Sequence, residues 1–504
     1  MTHEPRPRLL ALAALSLAAV ALVATSTTSS MAGTLGRQAP SSARLGATPG
    51  VWIDLTTSAE PPIGGNPAVW LSSTGVATVL WYRSIDKSEF TYEAVNITPA
   101  GAVAAAPVSI FKAGWLSLTD DPTLVTDGKS PLLIFNGARS SESTDPYSHS
   151  CVVGALEGKP SWTLQTWSLS SGCYNPNAGA VATKSGELAA AWPGSFSGKS
   201  AVLYRVGVSP TIPATGPDDH IATSEGGDVG RAGLASDIAG NDDVYIAWSQ
   251  FFSKPSSQDG YYVKNVTADG GVHKAPGTGT NSVNDVNGAA DIAVANSNTH
   301  PGIFMAYCSD GNACTLLLWK VGTAKPLIVP HSAPASDVAI SAGPDGRIWV
   351  AWYNHTTNDV STVRTNKADT AFGPVETYKT PCFEDGVIGL SGGSFDRLDV
   401  ALQCLDNSKL QIQQYVTQSL AGLSLHASAT TIKDTVNNTV TYSVTDAGDA
   451  VAGVLVTVDG KSGHTTTAGT VSFTFPKGSK TGHFAVTASE SNYYAAHGEL
   501  DVDS

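Results

Sequence analysis

Twelve residues of this 504-residue chain carry side chains suited to recognising a polyhydroxylated ligand. Tyr82, Arg83, Arg139, Tyr147, Phe196, Phe251, Phe252, Tyr353 and His355 fall in or beside polar stretches such as YRSIDKSEF, NGARSSESTDPYSHS, SQFFSKPSSQDG and YNHTTND. Asp121, Tyr174 and Arg231 stand close to the starts of the strands that follow such stretches. Aromatic planes stack on the apolar faces of sugar rings, while Arg and Asp bond hydroxyl or carboxylate groups. Any one of these aromatics is more simply read as packing, and any one charge as loop solvation. The pattern as a whole carries the expectation.

Reactive chemistry is harder to find. GLSGG (389–393) satisfies the nucleophile pattern G-x-S-x-G, but it sits in a hairpin rather than on the strand-to-helix turn that would expose Ser391. The eleven His are scattered, and no Cys or His spacing matches a zinc site. Asp121, Asp337 and Asp385 begin strands and would approach one another near a common axis, the arrangement a glycosidase pair requires. The stretches SVNDVNGAAD (282–291) and CSDGNAC (308–314) offer oxygen ligands for Ca²⁺ without the spacing of an EF-hand loop, so they read as solvated turns and no cofactor is expected.

The elements that must position these residues show themselves as a repeat. Seven apolar strands end in a large residue: Trp81, Phe135, Trp192, Trp248, Tyr307, Trp352 and Leu402. These ends lie 54, 57, 56, 59, 45 and 50 residues apart, the signature of one supersecondary unit repeated about an axis. Each unit opens with a strand such as AGLASDIAG, turns through GNDD, GPDG or STG, and continues through a polar loop into a third strand. Four antiparallel strands per unit predict an all-β, seven-bladed β-propeller over 51–418; six is the neighbouring count, because the 45-residue interval is the shortest. The seventh unit lacks a fourth strand where the chain leaves near Thr417, and VWIDL (51–55) is the segment that would fill that edge. The strand-end Trp residues are expected to pack between blades.

After a linker at 419–422, residues 423–504 contain no Trp or Cys and alternate cleanly in TVTYSVTD and GTVSFTFPKG, which predicts a small antiparallel sandwich. The run AGVLVTVDGKSGHTTTAGTVSFTF resembles the bacterial Ig-like and carboxypeptidase-regulatory-like modules of secreted proteins, a resemblance that implies a spacer or adhesion role. The phrases GPDGRIWVAW and GNDDVYIAW resemble the sialidase-like, BNR-repeat propellers. That family's Asp-box survives only as TADGGV (267–272), and its early R-I-P signature is missing, so the catalytic set of a sialidase is not expected.

Residues 1–32 read as an export signal, with Arg6 and Arg8 before the apolar stretch Leu9 to Ala24 and small residues at Ser30-Met31-Ala32. Residues 33–50 form a flexible lead-in. Removal of the signal takes away Arg6, Arg8 and Glu4, so the net charge of −14 becomes −15. Such acidity repels phosphate backbones and argues against nucleic acid as a partner. Six cysteines suit an oxidising compartment; they cluster as Cys151/Cys173, Cys308/Cys314 and Cys382/Cys404, and neighbour pairing is favoured among the 15 connectivities six allow. Under the propeller plan all six fall on the face that bears the long loops. The expectation is a secreted, non-catalytic protein that binds a polysaccharide or cell-surface glycan on that face. A carbohydrate-active hydrolase or lyase using the same face is the alternative, and a scaffold for protein partners the third.

Overall fold

The computed structural model describes residues 48–504 apart from 57–64, 86–88, 112–114, 119–121, 127–130, 140–151, 158–162, 169–178, 209–218, 223–226, 253–255, 269, 279–292, 298, 310–313 and 407–410. The expected export signal and most of the lead-in lie outside the described residues. Regular structure among the described residues is β throughout, apart from one 3-10 turn at Pro344–Gly346. No helix among them is long and apolar enough to cross a membrane.

Seven successive stretches of chain each form a small antiparallel sheet on one plan. The inner strands are Ala68–Leu71, Thr123–Thr126, Gly179–Ala182, Gly227–Ser236, Ala293–Asn296, Asp337–Ala342 and Cys382–Ser391. The second strands are Ala77–Ser84, Pro131–Arg139, Leu188–Phe196, Val244–Phe252, Ile303–Cys308, Ile348–Asn354 and Arg397–Asp406. Each inner strand contacts the next, and the last meets the first, so the circuit closes. The inner strands approach closely enough that a Cβ on Gly389 would sit 1.8 Å from the Pro67 carbonyl oxygen.

Each strand-end residue of the repeat fills a seam between neighbouring sheets. Trp192 packs with Ile134 and Leu132 of the sheet before it, Trp248 with Ala189 and Ala191, and Trp352 with Phe304 and Ala306. Trp81 meets Ala401 and Val416, which joins the first sheet to the last. Strand alternation explains this: residues two apart share a face, so a single apolar run supplies both seams of its sheet.

The seventh sheet is completed by Ile53–Asp54, which pairs with Val416 and Tyr415 as the sequence suggests. Side chains reinforce the same closure. Arg397 donates to Asp399 at 3.0 Å, to the Pro99 carbonyl at 2.6 Å and to the Gly75 carbonyl, and the Ser391 hydroxyl accepts the Leu71 N–H at 3.2 Å. Ser391 therefore ends an inner strand and holds a backbone amide; it occupies no nucleophile elbow.

Residues beyond Leu423 form two more sheets. Asn438–Asp446 and Thr470–Phe475 belong to one, and Ala496–Asp503, Gly482–Ser489 and Leu455–Val458 to the other. Alternation turns Val440, Tyr442 and Val444 inward against Val456, Val486 and Leu500. The residues expected to act as a linker, 419–422, are the end of the long strand Gln411–Gly422. Ser419 and Leu420 still pair with Leu398 and Arg397, and Ala421 and Gly422 then pair in parallel with Tyr493 and Tyr494, so the chain leaves the seventh sheet later than Thr417.

Candidate functional site

Antiparallel strands alternate direction, so the two ends of each sheet present different loops. One end carries the turns from first to second strand, among them 72–76, 183–187, 237–243 and 343–347. The other carries the connections from second to third strand, among them the turns at 196–199 and 354–359 and the Cys308–Cys314 bridge.

The C-terminal sheets dock on the turn end. Arg347, in the turn of the sixth sheet, contacts Asp446 at 3.2 Å and Asp449 at 2.8 Å. Arg364 contacts the same Asp446 carboxylate, lies 4.9 Å from the Trp349 ring and 5.7 Å from the Tyr493 ring, and reaches Asp396 of the seventh sheet at 3.4 Å. Burial alone would lower the Arg364 pKa, but Asp446 foremost, with Tyr493 and Asp396, holds it above its ordinary value. Two guanidinium groups on one buried carboxylate satisfy charges that would otherwise be stranded. The docked sheets therefore sit on the turn end of the sixth and seventh sheets.

On the hairpin end the twelve expected residues fare differently. Tyr82 is only 8 % exposed; its ring stacks on Phe90 at 5.3 Å and meets Tyr92 edge-on at 6.2 Å. Tyr353 is fully buried, against the Gly386 backbone, and its hydroxyl donates to Asn358 Oδ1 at 2.9 Å. Both rings pack between sheets, because the alternation that turns the strand interior toward a seam continues to the strand end. Arg83 forms an ion pair with the buried Glu93 carboxylate. Phe251 and Phe252 are half-buried at the end of their strand, where Asp259 accepts the Phe252 N–H and the Ser256 N–H, each at 2.9 Å. His355 is exposed in a turn that Asn354 Oδ1 braces by accepting the Thr356 N–H at 3.0 Å.

Phe196 differs from all of these. It is 43 % exposed, the one aromatic among the exposed large apolar residues of the described chain. Ser197 (φ 52°) and Gly198 (φ 77°) form the two-residue turn beyond it, a left-handed pair that glycine makes easy. Its ring lies face-to-face with His220, centroids 3.5 Å apart and planes within 15°. Sequence reasoning missed His220: a lone His on an outer strand carries no spacing signal, and the ring only meets Phe196 across two strands of pairing.

Arg139 ends a second strand and pairs with Trp115, and Arg231 sits in a bulge between Val229 and Ala232 of an inner strand. A second bulge lies between Glu384 and Val387, where Asp385 and Gly386 stand. Asp121, Tyr147, Tyr174, Cys151 and Cys173 lie outside the described residues, as does the stretch 282–291. The other cysteines pair as neighbours, Cys308–Cys314 and Cys382–Cys404, with Cα separations of 5.0 and 5.4 Å. Asp337, expected near the axis as an acid, instead accepts the Ile388 N–H at 2.7 Å from the neighbouring inner strand. The axial cavity, about 250 Å³, is lined by inner-strand residues such as Ala68, Ala180, Gly233 and Ala339, and no described side chain lining it is ionisable.

No protein-family model and no curated protein matches this chain. Among solved structures, a protein of unknown function from Dyadobacter fermentans is similar at 12 % identity and TM-score 0.43, covering 73 % of this chain and 99 % of its own. An alpha-L-arabinanase from Penicillium chrysogenum, complexed with arabinobiose, is similar at 14 % identity and TM-score 0.42, covering 73 % and 98 %. A polysaccharide lyase is similar at 10 % identity and TM-score 0.44, covering 72 % and 92 %. Likeness at this level transfers neither a substrate nor a residue role.

Proposed function

We propose that this is a secreted glycan-recognition protein. The reading takes residues 51–418 as a seven-bladed β-propeller, 423–504 as an Ig-like sandwich held on its turn face, and 1–32 as the removed export signal. The observation that carries it is a contrast between the two ends: the C-terminal sheets dock on the turn end through the Arg347, Arg364 and Asp446 junction, while Phe196 stands exposed at a hairpin of the other end. Varied loops on a rigid scaffold are where recognition concentrates. Cross-links at Cys308–Cys314 and Cys382–Cys404 stiffen that end and lower the ordering cost of binding. The sandwich acts as a fixed spacer that leaves this face free.

One feature favours catalysis as a second reading. Bulges commonly re-aim side chains beside active sites. Two inner strands carry such bulges, at Val229/Ala232 and Glu384/Val387, in the stretches of chain that hold Arg231, Glu384 and Asp385, and this supports the second reading.

The test is glycan-array binding of the mature chain, with reaction products examined by mass spectrometry. A bulky polymer is attached to a cysteine introduced either at His355 on the hairpin end or at Val436 on the sandwich, both exposed. Binding lost only with His355→Cys supports recognition on the hairpin face. Binding indifferent to both attachments, or no glycan bound, refutes it. Turnover of a bound glycan moves the assignment to the second reading.

A further inference from the structure

We propose that Phe196 and His220 together form a sugar-stacking subsite that takes the apolar face of a pyranose ring. The inference rests on the glycan reading above and gives it an address at the tip of the third sheet. The other large aromatics with a described burial are buried or half-buried, with Trp81, Trp192, Trp352 and Tyr353 buried in seams. Phe196 is the exception, and nothing in the packing requires an aromatic at a position so exposed.

Three properties make it a platform. The ring is positioned by a tight two-residue turn at Ser197 and Gly198, between strands paired up to Phe196 and Lys199. Its orientation is set by the face-to-face contact with His220, at 3.5 Å, so the ring does not have to be ordered when a ligand arrives. The hairpin also carries polar residues next to Phe196 in the chain, Ser197 in the turn and Lys199 as its cross-strand partner. A pyranose offers a face of axial C–H groups and a rim of hydroxyls, and an aromatic plane rimmed by donors and acceptors matches both. The chain's net charge of −14 disfavours an acidic ligand over the whole surface, so a neutral hexopyranose is the class that fits.

The probes are methyl β-D-glucopyranoside, methyl β-D-galactopyranoside and methyl α-D-mannopyranoside, each titrated into the full mature chain and followed by saturation-transfer NMR. The expected result is transfer concentrated on the ring C–H protons of at least one glycoside. Phe196→Ala should weaken its apparent affinity about tenfold, the loss of one stacking partner. Phe196→Trp should restore it, and His220→Ala should weaken it less. Val272→Ser, an exposed apolar change on another sheet, is the control and should leave it unchanged. Transfer to none of the three glycosides, or transfer unaltered by Phe196→Ala, overturns the subsite. Array binding that persists in Phe196→Ala but disappears on blocking position 355 overturns the subsite and keeps the face reading. Array binding unaltered both by Phe196→Ala and by blocking position 355 overturns both. Concentration-dependent self-association that vanishes in Phe196→Ala would reassign the ring to a contact between copies and overturn the proposal.

Discussion

Replacing Arg397 by Ala should loosen the closure of the ring more than any other single change on that seam. The guanidinium is 7 % exposed and serves three acceptors: Asp399 Oδ2 at 3.0 Å within its own sheet, and the Pro99 and Gly75 carbonyls of the first sheet. Asp399 is fully buried, and its remaining described partner is the Gln418 side-chain amide at 3.2 Å. Stranding one partner of a buried ion pair costs about 3–5 kcal/mol. The two turn carbonyls can rotate toward water and add about 1 kcal/mol at most. Most of the penalty therefore comes from the Asp399 charge, which makes it dependent on pH. Burial already holds the Asp399 pKa above its ordinary 3.8, with the Arg397 charge and the Gln418 hydrogen bond pulling it back. A folded-state value above the unfolded one means the folded chain binds the proton more tightly. Its stabilising contribution is then complete below about pH 4 and is lost as the pH rises through the folded value. Without Arg397 that folded value climbs further, so the variant should lose more stability at pH 8 than at pH 5. Urea unfolding followed by Trp emission reads both. Arg397→Ala/Asp399→Asn should recover most of the loss, because the stranded charge is gone. A penalty below about 1 kcal/mol for Arg397→Ala, or one equal at pH 5 and pH 8, would refute the reasoning.

Asp446→Ala leaves both Arg347 and Arg364 without their common acceptor, a loss of about 3–5 kcal/mol concentrated at the junction. Limited proteolysis should then release the C-terminal sheets while the ring stays folded; an unchanged cleavage rate would remove the junction's claimed role. Tyr353→Ala should cost about 3–5 kcal/mol of stability because the ring is fully buried, whereas His355→Ala, two residues on, should change it by less than about 0.5 kcal/mol. Thermal unfolding that ranks them equally would contradict the seam assignment. The Cys382–Cys404 bridge spans a separation of 22 and Cys308–Cys314 one of 6, so their removal should cost about 3 and about 2 kcal/mol in the chain-entropy account. Burial, partly countered by the Arg364 charge, raises Tyr493 from 10.0 to about 12. The stability it contributes below pH 10 should be lost between pH 10 and about 12, and Tyr493→Phe should flatten that limb of the melting profile; a limb unaltered in the variant would show that another group titrates there.

Much of the architecture was legible because it is local and repeated. The strand ends from Trp81 to Leu402 mark sheets whose period survives any error at one position. The closing strand at Ile53–Asp54 followed from an edge left unpaired, and two of the neighbour cysteine pairings followed from the repeat topology. The candidate site was far less legible. Tyr82 and Tyr353 look like loop aromatics, yet each continues the parity of its strand and turns into a seam. Phe196, also an aromatic at the hairpin end of a second strand but four residues past its Trp, is exposed instead. What separates them is the neighbouring sheet, which a local pattern does not contain.

The amino-acid sequence by itself determined the repeat, the strand polarity, the tight turns and the alternation that assigns each side chain to one seam or the other. These depend on residues within a few positions of one another, where backbone geometry and side-chain period suffice. Tertiary structure alone decided where the C-terminal sheets dock on the ring. Arg364 and Asp446 are 82 residues apart, and neither lies in a motif that calls for the other. They meet because folding desolvates both, and a buried charge must find its counter-charge wherever the packing brings one. The same holds for Phe196 and His220, rings brought together by two strands of one sheet rather than by any spacing in the chain.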